Sequence, residues 1–191
     1  MTVLVVATGN PGKVRELQAV LADLDWELRA KPAELEVEET GDTFVANACL
    51  KASEVARATG EWAIADDSGL EVMALNGAPG VYSARYGSSD PERIQRLLTE
   101  LGDRPNRAAR FVCVIAVARP DGTIALQTEG VCSGEILNTP QGSGGFGFDP
   151  VFYVPEHQQT FAEMPLELKQ SISHRGKALQ SLIPQLAAIS K

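Results

Sequence analysis

Residues 3–13 read Val-Leu-Val-Val-Ala-Thr-Gly-Asn-Pro-Gly-Lys, an apolar run that ends in a tight turn and restarts as a helix. This strand-to-helix junction constrains the fold more than any other segment. Asn10 suits a helix N-cap, and Pro11 suits the first helical position, where its missing N–H is one of the orphan donors anyway. Backbone N–H groups, the positive end of the helix dipole and the Lys13 ammonium then converge on one place, which favours an anion such as a phosphate. The spacing excludes a Walker A loop: two residues separate Gly9 from Gly12, and Val14 follows Lys13 where that motif needs Ser or Thr. Taken alone, the segment is equally an ordinary capped helix with a surface lysine.

The rest of the chain continues the mixture. Hydrophobic periodicity predicts helices over about 11–24, 43–58, 91–101 and 174–188, the last kinked at Pro184. Strands are predicted over 3–7, 26–30, 62–65, 70–74, 108–118 and 123–131, with an extension at 135–137. Pro120-Asp121-Gly122 is the turn of a hairpin. No repeat or linker interrupts this order, so the expectation is one α/β (mixed α+β) domain over residues 1–191 around a single sheet.

A formal net charge of −8 argues against nonspecific nucleic-acid binding, which needs a basic face. Cys49, Cys113 and Cys132 are an odd count without CxxC, and each sits among apolar neighbours. They read as reduced core residues of a cytoplasmic protein. The chain opens directly on a strand, so no signal peptide is expected, and no apolar run is long enough to span a membrane.

The second helix carries a physical anomaly. At about 3.6 residues per turn, Phe44, Ala48 and Val55 share a face and Lys51 falls among them, with Asn47 one turn earlier. A lysine on an apolar stripe either snorkels to solvent or meets an anion. Glu38-Glu39 and Asp66-Asp67 are the candidate anions. Alternation along a strand lets at most one of each pair face a given ligand. Oxygen donors without Cys or His suit a hard cation, magnesium bridging substrate phosphates. Gly142-Ser-Gly-Gly-Phe-Gly147 matches GxGxxG formally, but no helix follows, so a Rossmann reading is rejected. Phe146-Gly147-Phe148-Asp149 offers aromatic faces beside a carboxylate, which suits a stacked base or, equally, a core. Ser173 is a natural N-cap for the last helix, where His174 and Arg175 supply donors for a purine edge or a phosphate. No GxSxG nucleophile elbow exists.

Together these blocks resemble the inosine/xanthosine triphosphate pyrophosphatase family. The matching segments are Thr8-Gly-Asn-Pro-Gly-Lys13, Glu38-Glu-Thr-Gly41 with Asn47-Ala-Cys-Leu-Lys51-Ala52, and Ala65-Asp-Asp-Ser-Gly-Leu70. They continue with Gly77-Ala-Pro-Gly-Val-Tyr-Ser-Ala-Arg-Tyr86, Phe146-Gly-Phe-Asp-Pro-Val-Phe152 and Ser173-His-Arg-Gly-Lys-Ala178, in order along the chain. One departure is Ala46, where many members carry glutamate. The resemblance implies a long mixed sheet in two lobes with the substrate in the cleft, a homodimer, and no nucleic-acid or membrane partner. It implies hydrolysis of dITP, ITP and XTP to the monophosphate and pyrophosphate with magnesium. Thr8, Gly9, Asn10, Pro11, Gly12 and Lys13 would hold phosphate, and Glu39 and Asp67 the metal. Asp67 would be general base, Lys51 would serve catalysis, and Ser68 would lie beside substrate. Phe146, Gly147, Phe148 and Asp149 would embrace base and sugar, with Lys169, His174 and Arg175 completing the pocket. Two rivals stay open: a pyrophosphatase for other modified nucleotides, such as methylated pyrimidines, and a catalytically silent nucleotide-binding module.

Overall fold

The computed structural model describes residues 2–22 and 24–189. Strand β1 (Thr2–Val6) is apolar from Val3 onward because strands flank it on both sides. It pairs in parallel with β2 (Trp26–Ala30), Val6 opposite Ala30, and with β3 (Trp62–Val72), Val6 opposite Ile64. Helix α1 (Pro11–Leu21) makes the first crossover and α2 (Phe44–Thr59) the second. Then come α3 (Asp90–Leu101), β4 (Ala108–Ala118), β5 (Ile124–Ile136), β6 (Phe152–Val154), β7 (Gln159–Thr160), α4 (Leu166–Ile172) and α5 (His174–Ile189). The seven strands form one mixed sheet in the order β2-β1-β3-β4-β5-β6-β7, with β5–β6 and β6–β7 antiparallel. The expected mixed α/β class is the one observed.

The chain divides into two compact units. The first comprises Met1–Asp67, Cys113–Gly130 and Arg175–Lys191. Its core joins Leu4, Val6, Ile64, Ile115 and Val117 of the strands to Leu17 and Leu21 of α1 and Leu179, Leu182 and Leu186 of α5. Cys113 lies inside this core, where burial pushes its thiol up to about 12 and makes it inert. The second unit comprises Ser68–Val112 and Val131–His174. Its core gathers Leu97 and Leu101 of α3 with Phe111, Phe148, Phe152 and Phe161.

Several elements differ from the sequence reading. Helix α1 ends at Leu21, not near 24, with Ala22 as its C-cap; Asp23, inside the expected helix, lies outside the described residues. The two short strands expected at 62–65 and 70–74 are one strand of 11 residues. Asp66 and Asp67 looked like a strand end because charge is rare inside a sheet, yet both carboxylates meet cations and the strand continues. In the same way β5 runs unbroken for 13 residues through the expected gap after Val131. The seven-residue α4, which has no side-chain cap, left no signal in the sequence reading. Helix α5 continues through Pro184. Cys113 and Cys132 are buried as expected, whereas Cys49 is only half-buried, and none of the three is in a disulfide. Among the described residues, no helix is long and apolar enough to cross a membrane.

Candidate active site

The turn after β1 forms as its residues dictate. Asn10 is extended, and its Oδ1 accepts from the N–H groups of Gly12 at 2.9 Å and Lys13 at 3.3 Å, while its own N–H donates to Thr8 Oγ1. Two of the helix donors expected to be open to an anion are thus engaged by the cap itself. The Lys13 side chain turns to β3, where its Nζ lies 3.0 Å from Asp66 Oδ2.

Asp66 is fully buried and accepts a second cation. Arg175, at the start of α5, donates to Asp66 Oδ2 from Nε at 3.3 Å and Nη2 at 3.1 Å. Its Nη1 donates to Glu16 Oε2 at 2.5 Å. Burial alone would raise the Asp66 pKa; the charges of Lys13, Arg175 and Lys51 overcome it and hold the carboxyl well below the usual range. The sequence offered Arg175 to a purine edge or a phosphate as part of the nucleotide pocket. In the structure all three guanidinium nitrogens donate to carboxylates, and the residue is 2% exposed.

Asp67 belongs to the opposite face of the strand and meets α2. Lys51 is buried on the apolar stripe, as the periodicity indicated, and does find an anion. Its Nζ is ion-paired with Glu39 Oε1 and lies 3.9 Å from Asp67 Oδ1. Glu39 is delivered by local docking: the Gly41 N–H donates to Asn47 Oδ1 at 2.8 Å. A Cβ at Gly41 would come within 2.7 Å of that oxygen, so only glycine lets the acidic segment approach α2 this closely. Glu38 is exposed. Burial dominates at Asp67 and raises its pKa against the pull of Lys51 and Lys13; Glu39 adds to the rise. Burial would lower Lys51, but Asp66, Asp67 and Glu39 hold it above its ordinary value.

Beside this pair lies a cavity of about 320 Å³, lined by Thr8, Gly9, Lys31, Glu36, Glu39 and Lys51, with Ala7, Val37 and Val55 as apolar wall. The buried ion-pair cluster next to the cavity does not balance internally. Lys13, Lys51 and Arg175 stand against Glu16, Glu39, Asp66 and Asp67, leaving one carboxylate in excess. Among the described residues no three His, Cys, Asp or Glu side chains form a ready-made metal cage.

The second unit holds the other expected residues. Asp149 is buried, and its Oδ2 accepts from Lys169 Nζ at 2.7 Å and from the Phe146 N–H at 2.9 Å. Gly145 adopts φ +70°, and a Cβ there would collide with that carboxylate. The Lys169 ammonium lies 4.9 Å from the Phe146 ring centroid. Phe146 is half-buried, whereas Phe148 fills the core edge-on to Tyr86. The Gly147 N–H donates to Asp90 Oδ2 at 2.8 Å. His174 stacks on Phe111 at 4.6 Å, with the rings 11° from parallel. Ser68 is half-buried on β3.

A sequence model of the Ham1 family matches residues 4–185. The chain belongs to the Ham1 family. This Ham1 chain is 71% identical over 187 residues to a dITP/XTP pyrophosphatase of Nostoc sp., covering 98% of this chain and 95% of that protein. A dITP/XTP pyrophosphatase of Synechocystis sp. is 60% identical over 185 residues, covering 97% and 95%. The solved Ham1 protein of Coxiella burnetii superposes with a TM-score of 0.90 at 45% identity, covering 98% of this chain and all of that one. The Staphylococcus aureus Ham1 protein gives 0.88 at 42% identity, with 98% and 100% covered. The family resemblance read from the motif blocks is borne out.

Two polar contacts, one in each unit, escaped the sequence reading. Glu16 follows Lys13 by one helical turn and precedes the core residue Leu17, so its spacing was a usable signal of a buried edge. Asp90 directly precedes the helix expected over 91–101, and nothing local ties it to Gly147.

Proposed function

We propose that this chain is a pyrophosphatase that hydrolyses dITP, ITP and XTP to the nucleoside monophosphate and pyrophosphate. The observation that carries the reading is the sharing of one buried ammonium, Lys51, between Glu39 and Asp67, beside a cavity bordered by the Thr8-Gly9 turn. The dITP/XTP pyrophosphatase activity for which the relatives are named supports the substrate class.

Glu39 and Asp67 would hold a magnesium ion. Their all-oxygen donors suit a hard cation, the surplus carboxylate asks for one, and two protein ligands leave room for phosphates. A magnesium ion held by these residues would supply charge neutralisation of the phosphate chain and polarisation of the reacting phosphoryl group. Lys51 keeps the two carboxylates oriented and adds positive charge where charge accumulates on the phosphate oxygens. Asp67 accepts the proton of the attacking water; as the new P–O bond forms, the anhydride P–O bond breaks and pyrophosphate leaves. A carboxyl whose pKa is raised by burial is better matched to this role than an ordinary one.

The base falls to the second set. Phe146 offers a ring face, Asp149 and Lys169 set the loop that presents it, and His174 donates toward the 6-keto oxygen of hypoxanthine or xanthine. Adenine places an amino donor there and leaves polar groups unmatched, a strong basis for rejection. Arg175 serves the phosphate end through Asp66. A homodimer belongs to the same proposal and is read by light scattering.

The test is pyrophosphate release from XTP, ITP, ATP and GTP. XTP and ITP are expected at least about a hundredfold above ATP, with turnover lost on chelation and restored by magnesium. Lys51→Ala and Asp67→Asn should remove turnover from a folded protein. Equal rates on ATP, or full activity in either variant, would sink the assignment.

A further inference from the structure

Lys31 follows β2 directly. Its backbone N–H donates to Val6 O at 3.3 Å, which sets the residue beside the end of β1 and the turn that follows. Its side chain lines the cavity shared by Thr8, Gly9, Glu39 and Lys51. The ammonium donates to Leu35 O at 2.5 Å and to Pro32 O at 3.5 Å. No carboxylate among the described residues pairs with it, although Glu36 and Glu39 border the same space.

This distinguishes it from the two lysines that the sequence pointed to. Lys13 is held by Asp66, and Lys51 by Glu39 and Asp67. Lys31 is held by neutral carbonyl oxygens alone. A phosphate oxygen carries a negative charge that a carbonyl lacks, so exchanging a carbonyl for a phosphate oxygen adds Coulomb attraction to the ammonium. The carboxylate excess in the neighbouring cluster makes an extra cation at the cavity the more valuable to a polyanion.

We infer that Lys31 is a further substrate-binding residue, donating from the end of β2 to the phosphate chain of the nucleotide in this cavity. The inference rests on the pyrophosphatase reading and deepens it. It separates the binding of phosphate from the chemistry: Lys31 touches the chain, while Lys51 and Asp67 carry turnover.

The experiment pairs calorimetric titration of inorganic tripolyphosphate, in magnesium buffer, with steady-state kinetics on XTP. In Lys31→Gln, tripolyphosphate should bind about tenfold more weakly and KM for XTP should rise about tenfold, with kcat within about twofold of wild type. Lys31→Arg keeps the charge and should stay within about threefold of wild type in both. Unchanged tripolyphosphate affinity in Lys31→Gln overturns the inference. So does an equal loss in Lys31→Arg and Lys31→Gln carried by kcat, because Lys31 would then merely tie the loop to Leu35. Charge-dependent tripolyphosphate binding without XTP turnover would leave this contact standing and overturn the pyrophosphatase reading instead.

Discussion

Asp66 and Asp67 are neighbours in β3 whose carboxylates serve different cations: Asp66 Oδ2 lies 3.0 Å from Lys13 Nζ, and Asp67 Oδ1 lies 3.9 Å from Lys51 Nζ. Strand alternation sends them to opposite faces. Two residues of one type thereby acquire opposite properties, Asp66 held below the usual carboxylate pKa of 3.8 and Asp67 pushed above it.

The two asparagine variants should therefore separate stability from activity. The depressed Asp66 contributes stability that is complete above pH 3.8 and is lost as pH falls through the folded value. The raised Asp67 acts in reverse, and its charging costs stability as pH rises from 3.8 through its folded value. Asp66→Asn, which takes the anion from half-buried Lys13 and leaves buried Arg175 with Glu16 alone, is expected to lose about 3–5 kcal/mol in urea unfolding at pH 7. Asp67→Asn should be at least as stable as wild type there, yet lose about a thousandfold in kcat/KM together with the acidic limb of its pH profile. A destabilised Asp67→Asn with a stable Asp66→Asn would reverse the argument.

Arg175→Lys should be a costly exchange despite keeping the charge. Arg175 donates from three nitrogens to Asp66 and Glu16 at 2% exposure, a fork that a single ammonium cannot reproduce. The expected loss is about 2–4 kcal/mol in denaturant unfolding. A loss of only a few tenths would mean that the buried pairings contribute little beyond charge.

Asp90 should position the Phe146-Gly147 segment. Its Oδ2 accepts the Gly147 N–H at 2.8 Å, and its Oδ1 is held by Arg93 Nη1 at 2.5 Å. Asp90→Ala is expected to raise KM for XTP about fivefold with kcat nearly unchanged, the size of one lost hydrogen bond. Asp90→Asn keeps an acceptor and should restore most of it. Identical behaviour of the two variants would count against the positioning role.

Ala46, the departure from the family pattern, has a local explanation in helix capping. Thr43 is the N-cap of α2 and accepts from the Ala46 N–H at 3.1 Å, which makes Ala46 the third helical residue. Glutamate there would complete a Thr-x-x-Glu capping box. Ala46→Glu should gain about 0.5 kcal/mol in thermal or urea unfolding without changing kcat/KM.

The legible parts of this protein are those whose cause is close in the chain. Asn10, Thr43 and Ser89 cap their helices through side chains two or three residues from the amides they satisfy. The stripe on α2 revealed Lys51 because periodicity is local, and the buried lysine advertised an anion. The length of β3 was not legible, since two aspartates can remain inside a sheet only where distant cations meet them. Likewise Glu16 and Arg175 are 159 residues apart, and Asp90 and Gly147 are 57 apart.

By itself, the sequence determined the mixed α/β class, the capped strand-to-helix junction at Thr8–Lys13, the family, and Lys51 as a buried charge awaiting a partner. Propensity, capping and motif spacing act over a few residues and can be read there. Only the tertiary structure decided that Arg175 locks onto Asp66 and Glu16, that Glu39 turns inward while Glu38 stays exposed, and that Lys31 meets carbonyls alone. Ion pairing depends on distances that close when the chain has folded, and burial then decides how strongly each pair is felt. The opposite fates of Asp66 and Asp67 follow from that rule.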